Sequence, residues 1–122
     1  MKTPEEYKES LRQMRPNTYK FGELIEDVTT HPATRWTVEG HAQMYALQQD
    51  PKYQELVTTT SSLIPERIFR HLSILRGPED LYAASKQKRL MFNLTGTCTG
   101  ALCAGWNAIN AMWATTFDMD KN

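Results

Sequence analysis

The chain of 122 residues has only two cysteines and no surplus of charge of either sign. Each shortage excludes something. Fourteen Lys and Arg balance fourteen Asp and Glu, so no net field draws the chain to nucleic acid or to an anionic membrane. No apolar run approaches the roughly 18 residues that a membrane-spanning helix needs. The opening MKTPEEYKES is acidic and polar, unlike a secretory signal. Two cysteines without an export signal fit a reducing compartment, where thiols serve as metal ligands or core residues more often than as a disulfide. The expected location is the cytoplasm. Glycine-rich phosphate loop, Ser/His/Asp set, HExxH and a second CxxC are all missing, which removes the common phosphate, hydrolase and self-contained zinc motifs. There is no internal repeat and no low-complexity segment.

What is present reads as one mainly α domain over residues 1–122 with short extended segments. Thr3-Pro4-Glu5-Glu6 combines a hydroxyl cap, proline in the first turn and acids at the positive helix end. With Tyr7, Leu11 and Met14 on one face, a helix is expected over about 4–13, stopped by Pro16. Asn17–Asp27 reads as extended chain around Gly22, as two short strands. Thr29–Pro32 is a turn, because the residue before proline avoids the helical region. A second helix is expected from Ala33 to about Gln49, then a helical turn at Tyr53–Val57 and a loop or short strand at Thr58–Ser62. Ile64–Leu75 is ambiguous, with strand-like character expected in its second half. Gly77-Pro78-Glu79-Asp80 starts the helix expected to be longest, about 78–95.

The remaining stretch, Lys86–Asp120, holds both cysteines and two of the three tryptophans. A Gly/Thr-rich break from Gly96 to Gly100 separates two apolar helices, and the second carries Trp106, Ile109, Trp113 and Phe117 as one stripe. Asn107 and Asn110 fall on or beside that stripe, where a buried amide needs partners. Cys98 and Cys103 are five residues apart, so on an unbroken helix their side chains stand roughly 140° apart and cannot share an ion. Convergence requires residues 97–102 to leave the helix; otherwise the two are buried thiols. An iron–sulfur cluster usually takes four ligands, so this pair would borrow the others. Among the histidines, His31 before Pro32 reads as a local hydrogen-bonder, and His41 and His71 as surface or satisfied, partly buried residues. The apolar helix close to the last residue is expected to leave an exposed patch, the mark of a partner surface or of polypeptide still to follow.

TPEEYKESLRQMRPNTYKFGELIEDVTTHP, QDPKYQELVTTTS and RLMFNLTGTCTGALCAGWNAINAMWATTFDMD together resemble a known family. It is the N-terminal domain of the flavoproteins that group 4-hydroxyphenylacetate 3-monooxygenase with 4-hydroxybutyryl-CoA dehydratase/vinylacetyl-CoA Δ-isomerase. The resemblance covers essentially the whole chain. It implies a fragment of a longer, acyl-CoA dehydrogenase-like flavoprotein whose β middle domain and helical C-terminal domain lie elsewhere. The dehydratase branch carries CxxxC at this point, two ligands of a 4Fe-4S cluster completed by a His and a Cys far downstream. Aligned through NAINAMWATT, Cys103 falls on the second of these cysteines and Thr99 on the first, with Cys98 one residue early. The monooxygenase branch instead places an arginine and a tyrosine nearby, where this chain has Ala104 and Ala108.

The dehydratase-like branch is therefore favoured. It implies FAD and a 4Fe-4S cluster in the full-length protein, Cys103 and Cys98 as metal ligands, and dehydration of 4-hydroxybutyryl-CoA to crotonyl-CoA. The implied partners are the rest of the polypeptide, an acyl-CoA and, in a homotetramer, further copies; the isolated chain is expected to be inactive. Three alternatives remain open: a cluster-free thiol flavoprotein, an FAD-dependent aromatic hydroxylase and a non-catalytic helical interaction module.

Overall fold

A computed structural model describes residues 1–96 and 100–120, the second stretch with side chains from residue 104 onward. It is 58% helical, with four three-residue strands, so the mainly α expectation holds. The chain divides into two compact units, Met1–Asp50 and Pro51–Asn122.

The first unit opens with helix α1, Pro4–Met14. The Thr3 hydroxyl accepts from the Glu6 amide at 3.1 Å, and the Thr3 amide donates to the Glu6 carboxylate at 2.7 Å, a reciprocal cap that satisfies two otherwise unpaired donors. Arg15, in the left-handed region at φ 44°, ends it. Strands β1 (Thr18–Lys20) and β2 (Glu23–Ile25) pair antiparallel, Tyr19 opposite Leu24. Phe21 (φ 51°) and Gly22 (φ 84°) turn the hairpin. Two positive φ values match the twist of the strands they join. The Asp27 carboxylate accepts from the Thr29 amide at 2.8 Å and the Thr29 hydroxyl at 2.7 Å, closing the turn before helix α2, Arg35–Leu47. Val38, Ala42, Met44 and Leu47 are the buried face of α2. Tyr7 stacks on Tyr45, and Lys8 pairs with Glu39 at 2.6 Å, joining α1 to α2.

The second unit begins with helix α3, Gln54–Val57, and an antiparallel pair, β3 (Thr58–Thr60) with β4 (Arg67–Phe69). A 3₁₀ turn follows at Arg70–Leu72, then α4, Pro78–Thr95, and α5, Gly100–Met119. Val57, Thr58, Gln87 and Met91 are the most deeply buried side chains.

Two expectations need correction. Strand character in Ile64–Leu75 sits in its middle, not its second half. The last ladder pair is Thr58 with Phe69, and beyond it the backbone has no neighbouring strand among the described residues, so it coils and turns His71 inward. Nor is 78–95 the longest helix: α4 has 18 residues and α5 has 20. Gly105 sits in open space, and the Thr115 and Thr116 hydroxyls donate back to the Ala111 and Met112 carbonyls at 2.9 Å. The β-branched pair is thereby absorbed into the helix instead of ending it.

Candidate functional site around the start of α5

Position 103 is the fourth residue of α5, whereas Cys98 lies outside the described residues. Of the segment whose departure from helix would let the two thiols converge, residues 100–102 are helical, and residues 97–99 lie outside the described residues.

Helical phase ties position 103 to described neighbours. Seven residues make two turns less about 20°, so positions 103 and 110 share a face, with 106, 113 and 117 close beside it. Along that face burial changes abruptly: Trp106 is 7% exposed, but Trp113 is 45% and Phe117 53% exposed. At the boundary stands Asn110. Its Oδ1 accepts from the Leu75 amide at 2.8 Å, and its Nδ2 donates to the Trp106 carbonyl at 3.1 Å. The partners expected for a half-buried amide on the stripe are these two, while Asn107 is exposed.

The segment before Leu75 is fixed by Arg70. Its guanidinium donates to the carbonyls of Leu56 at 2.7 Å, and of Glu55 and Thr58 at 2.9 Å each. These are the backbone acceptors left over at the end of a one-turn helix. Arg67 adds bonds to the Thr58 hydroxyl at 2.6 Å and the Glu55 carboxylate at 2.5 Å. Next to Arg70, His71 is 5% exposed and stacks on Phe69 at 5.7 Å. Among the described residues its Nε2 has no hydrogen-bond partner, and the same holds for the buried Gln87 Oε1, although Gln87 Nε2 reaches the Val57 carbonyl at 3.4 Å. Burial pushes the imidazole below its ordinary value, and the Lys88 charge adds to this. His71 is thus buried and, among the described residues, one ring nitrogen is unsatisfied, so it is neither a surface residue nor a fully satisfied one.

The other histidines behave differently. His31 Nδ1 accepts from the Ala33 amide at 3.1 Å, the local role expected of it. His41 Nδ1 donates to the Thr37 carbonyl at 2.8 Å. Among the described residues, no three His, Cys, Asp or Glu side chains converge as a metal group, and no helix is long and apolar enough to cross a membrane. Sequence reasoning missed Arg70 and Gln87. Their roles depend on which backbone carbonyls lie within reach, and no periodicity signals that.

The class defined so far is a mainly α module presenting a thiol-bearing helix. A family profile described as 4-hydroxyphenylacetate 3-hydroxylase N terminal matches residues 3–122, and the chain belongs to that family. It is 39% identical over 119 residues to 4-hydroxybutyryl-CoA dehydratase/vinylacetyl-CoA-Δ-isomerase of Clostridium aminobutyricum, covering 98% of this chain and 24% of that one. The oxygenase component of 4-hydroxyphenylacetate 3-monooxygenase from Thermus thermophilus is 46% identical over 57 residues, 47% of this chain and 12% of that one. Among solved structures, an oxygen-tolerant archaeal 4-hydroxybutyryl-CoA dehydratase from N. maritimus superposes with a TM-score of 0.88 at 32% identity, over 98% of this chain and 23% of its own. The oxygenase component of 4-hydroxyphenylacetate 3-monooxygenase, complexed with FAD, gives 0.66 at 35% identity over 75% and 19%. The chain thus spans about a quarter of the dehydratases it matches.

Proposed function

We propose that this chain is the N-terminal part of a longer flavoprotein of the dehydratase-like branch, with an acyl-CoA dehydrogenase-like architecture when complete. One observation carries the reading. Similarity to the Clostridium dehydratase runs through 98% of the chain, whereas that to the Thermus monooxygenase stops at 47%. Ala104 and Ala108, both exposed on α5, support it, since neither can hold a phenol as an arginine and a tyrosine would.

In this reading Cys103, with Cys98, contributes thiolates to a 4Fe-4S cluster, and the remaining ligands come from outside residues 1–122. The donor set fits in part. Two thiols are all this chain has, and position 103 lies in the first turn of a helix, where the positive helix end favours the thiolate. When bound, FAD supplies a one-electron carrier and the cluster a Lewis acid for loss of water from 4-hydroxybutyryl-CoA. The task of this module is placement: Asn110 ties the thiol-bearing helix to Leu75, in the segment after β4 that Arg70 ties to α3. The complete protein would be a cytoplasmic homotetramer.

The test is anaerobic purification of the full-length polypeptide, with iron, sulfide and flavin analysis and an assay for crotonyl-CoA from 4-hydroxybutyryl-CoA. Brown, iron-containing protein with that activity is expected. Iron-free protein that hydroxylates a phenol in air with a flavin reductase would replace the reading by the monooxygenase one.

A further inference from the structure

We propose that Asn110 is the positioning residue of the thiol site, fixing by its two amide hydrogen bonds the rotation of the helix that carries Cys103. The inference rests on the dehydratase-like reading for its functional meaning and on geometry for its substance.

A helix held only by apolar contact can roll, because burial of surface has no preferred direction. A hydrogen bond does have one and weakens steeply off axis. Asn110 supplies such a bond to another element, accepting from the backbone amide of Leu75, 35 residues away in sequence, at 2.8 Å. Its other end is anchored on α5 itself, at the Trp106 carbonyl, so the amide can neither swing nor flip without losing both bonds. Flipping would set an NH₂ against the Leu75 N–H. Leu75 belongs to the segment that Arg70 ties to α3. α5 is therefore referenced to a segment that is itself tied to α3 and β3. Position 103 is two turns before Asn110 on the same face, close enough for the phase to carry: a roll of one residue step, about 100°, would take it off that face. Asn107, exposed one turn earlier, has no such role.

The experiment uses the full-length polypeptide with three variants, N110L, N110D and N107L. Asp keeps the acceptor for the Leu75 amide and loses only the donor to Trp106; Leu loses both. Hydrogen exchange at the Leu75 amide reads the bond directly. It should quicken about tenfold in N110L, the worth of one ordinary hydrogen bond, and stay near wild type in N110D and N107L. The extent of Cys103 alkylation by iodoacetamide at one fixed pH, native relative to unfolded and mapped on iron-depleted protein, reads the consequence. N110L should change that protection while N107L retains it, because a rolled helix gives position 103 different surroundings. Where N110L fails to fold, N110A serves in its place.

Unchanged Leu75 exchange in the Leu or Ala variant overturns the inference. So does faster exchange with unaltered protection of Cys103 from alkylation, which would make Asn110 merely structural. Iron-free wild-type protein would defeat the dehydratase reading instead, and leaves both readouts of Asn110 intact.

Discussion

Tyr7 and Tyr45 stack face to face, ring centroids 4.8 Å apart and planes 20° from parallel, and this contact binds α1 to α2. None of the α1 side chains is fully buried, so the helix is held by a few such contacts, the Lys8–Glu39 pair and its cap. Truncating either ring should cost about 2 kcal/mol, combining lost area with the stacking contribution. Urea unfolding of Y7A, Y45A and the double variant would show it, and the double variant should cost less than the sum, as contacting residues do.

The same pair predicts behaviour at high pH. Burial raises both phenol pKa values above the ordinary 10.0, and for Tyr7 the charge on Tyr45 adds to this. A raised folded value means the unfolded chain loses its proton first. Their contribution to stability is therefore complete below pH 10 and is lost as pH rises through the folded values. Y7F/Y45F should flatten this alkaline fall in the unfolding midpoint. An equally steep fall in the variant would contradict the assignment.

His71 predicts the opposite limb. Burial and the Lys88 charge depress its folded pKa, so the unfolded chain takes up the proton first, near pH 6.5. The stabilising contribution is full above that value and is lost as pH falls. H71F should remove this acid-side slope between about pH 7 and 5. Phe can keep the stack on Phe69 and brings no unsatisfied nitrogen, so its stability at pH 7 should equal or exceed that of wild type.

Arg70 should be the least replaceable charge in the second unit. R70K keeps the charge but cannot reach three carbonyls with a planar fork, and R70M removes every bond. A loss of about 1–3 kcal/mol is expected for R70K and more for R70M, measured as a shift in the unfolding midpoint. R76K, whose partner Asp80 lies in an exposed ion pair, should change it by under about 0.5 kcal/mol.

The hairpin tip offers a gain. Phe21 is 96% exposed and holds φ 51°, a region that costs an ordinary side chain about 1–2 kcal/mol. F21N should stabilise the first unit, because Asn tolerates this conformation in two-residue turns. G22A should destabilise it through backbone strain alone, since nothing lies within 4 Å of an added Cβ. Thermal melts of the two variants should move in opposite directions.

Local signals were legible where a residue type dictates a local outcome. Thr3-Pro4-Glu5-Glu6 announced α1, Gly77-Pro78 announced α4, and two short strands within Asn17–Asp27 followed from its aromatic and aliphatic residues around Gly22, whereas their pairing as a hairpin is a finding of the structure. The stripe on α5 was legible too, but not where its cover stops. That boundary depends on where Leu75 presents its amide to Asn110, a distance across the fold that no period encodes. The 3₁₀ turn at Arg70–Leu72 escaped for the same reason, because it begins where β3 runs out of partners. The burial of His71 is not legible because a buried imidazole leaves the same trace in sequence as a surface one. Of the two proposed ligands, Cys103 can be placed on its helix, and Cys98 lies outside the described residues.

Trp106 and Trp113 stand seven positions apart on one helix, the first shut away and the second in water. With Trp36 replaced by phenylalanine, the chain becomes a two-channel optical gauge. Emission from position 106 should be blue and hard to quench with acrylamide, and that from position 113 red and easily quenched. Anything that settles on the far half of the helix will recolour one lamp and leave the other as it was.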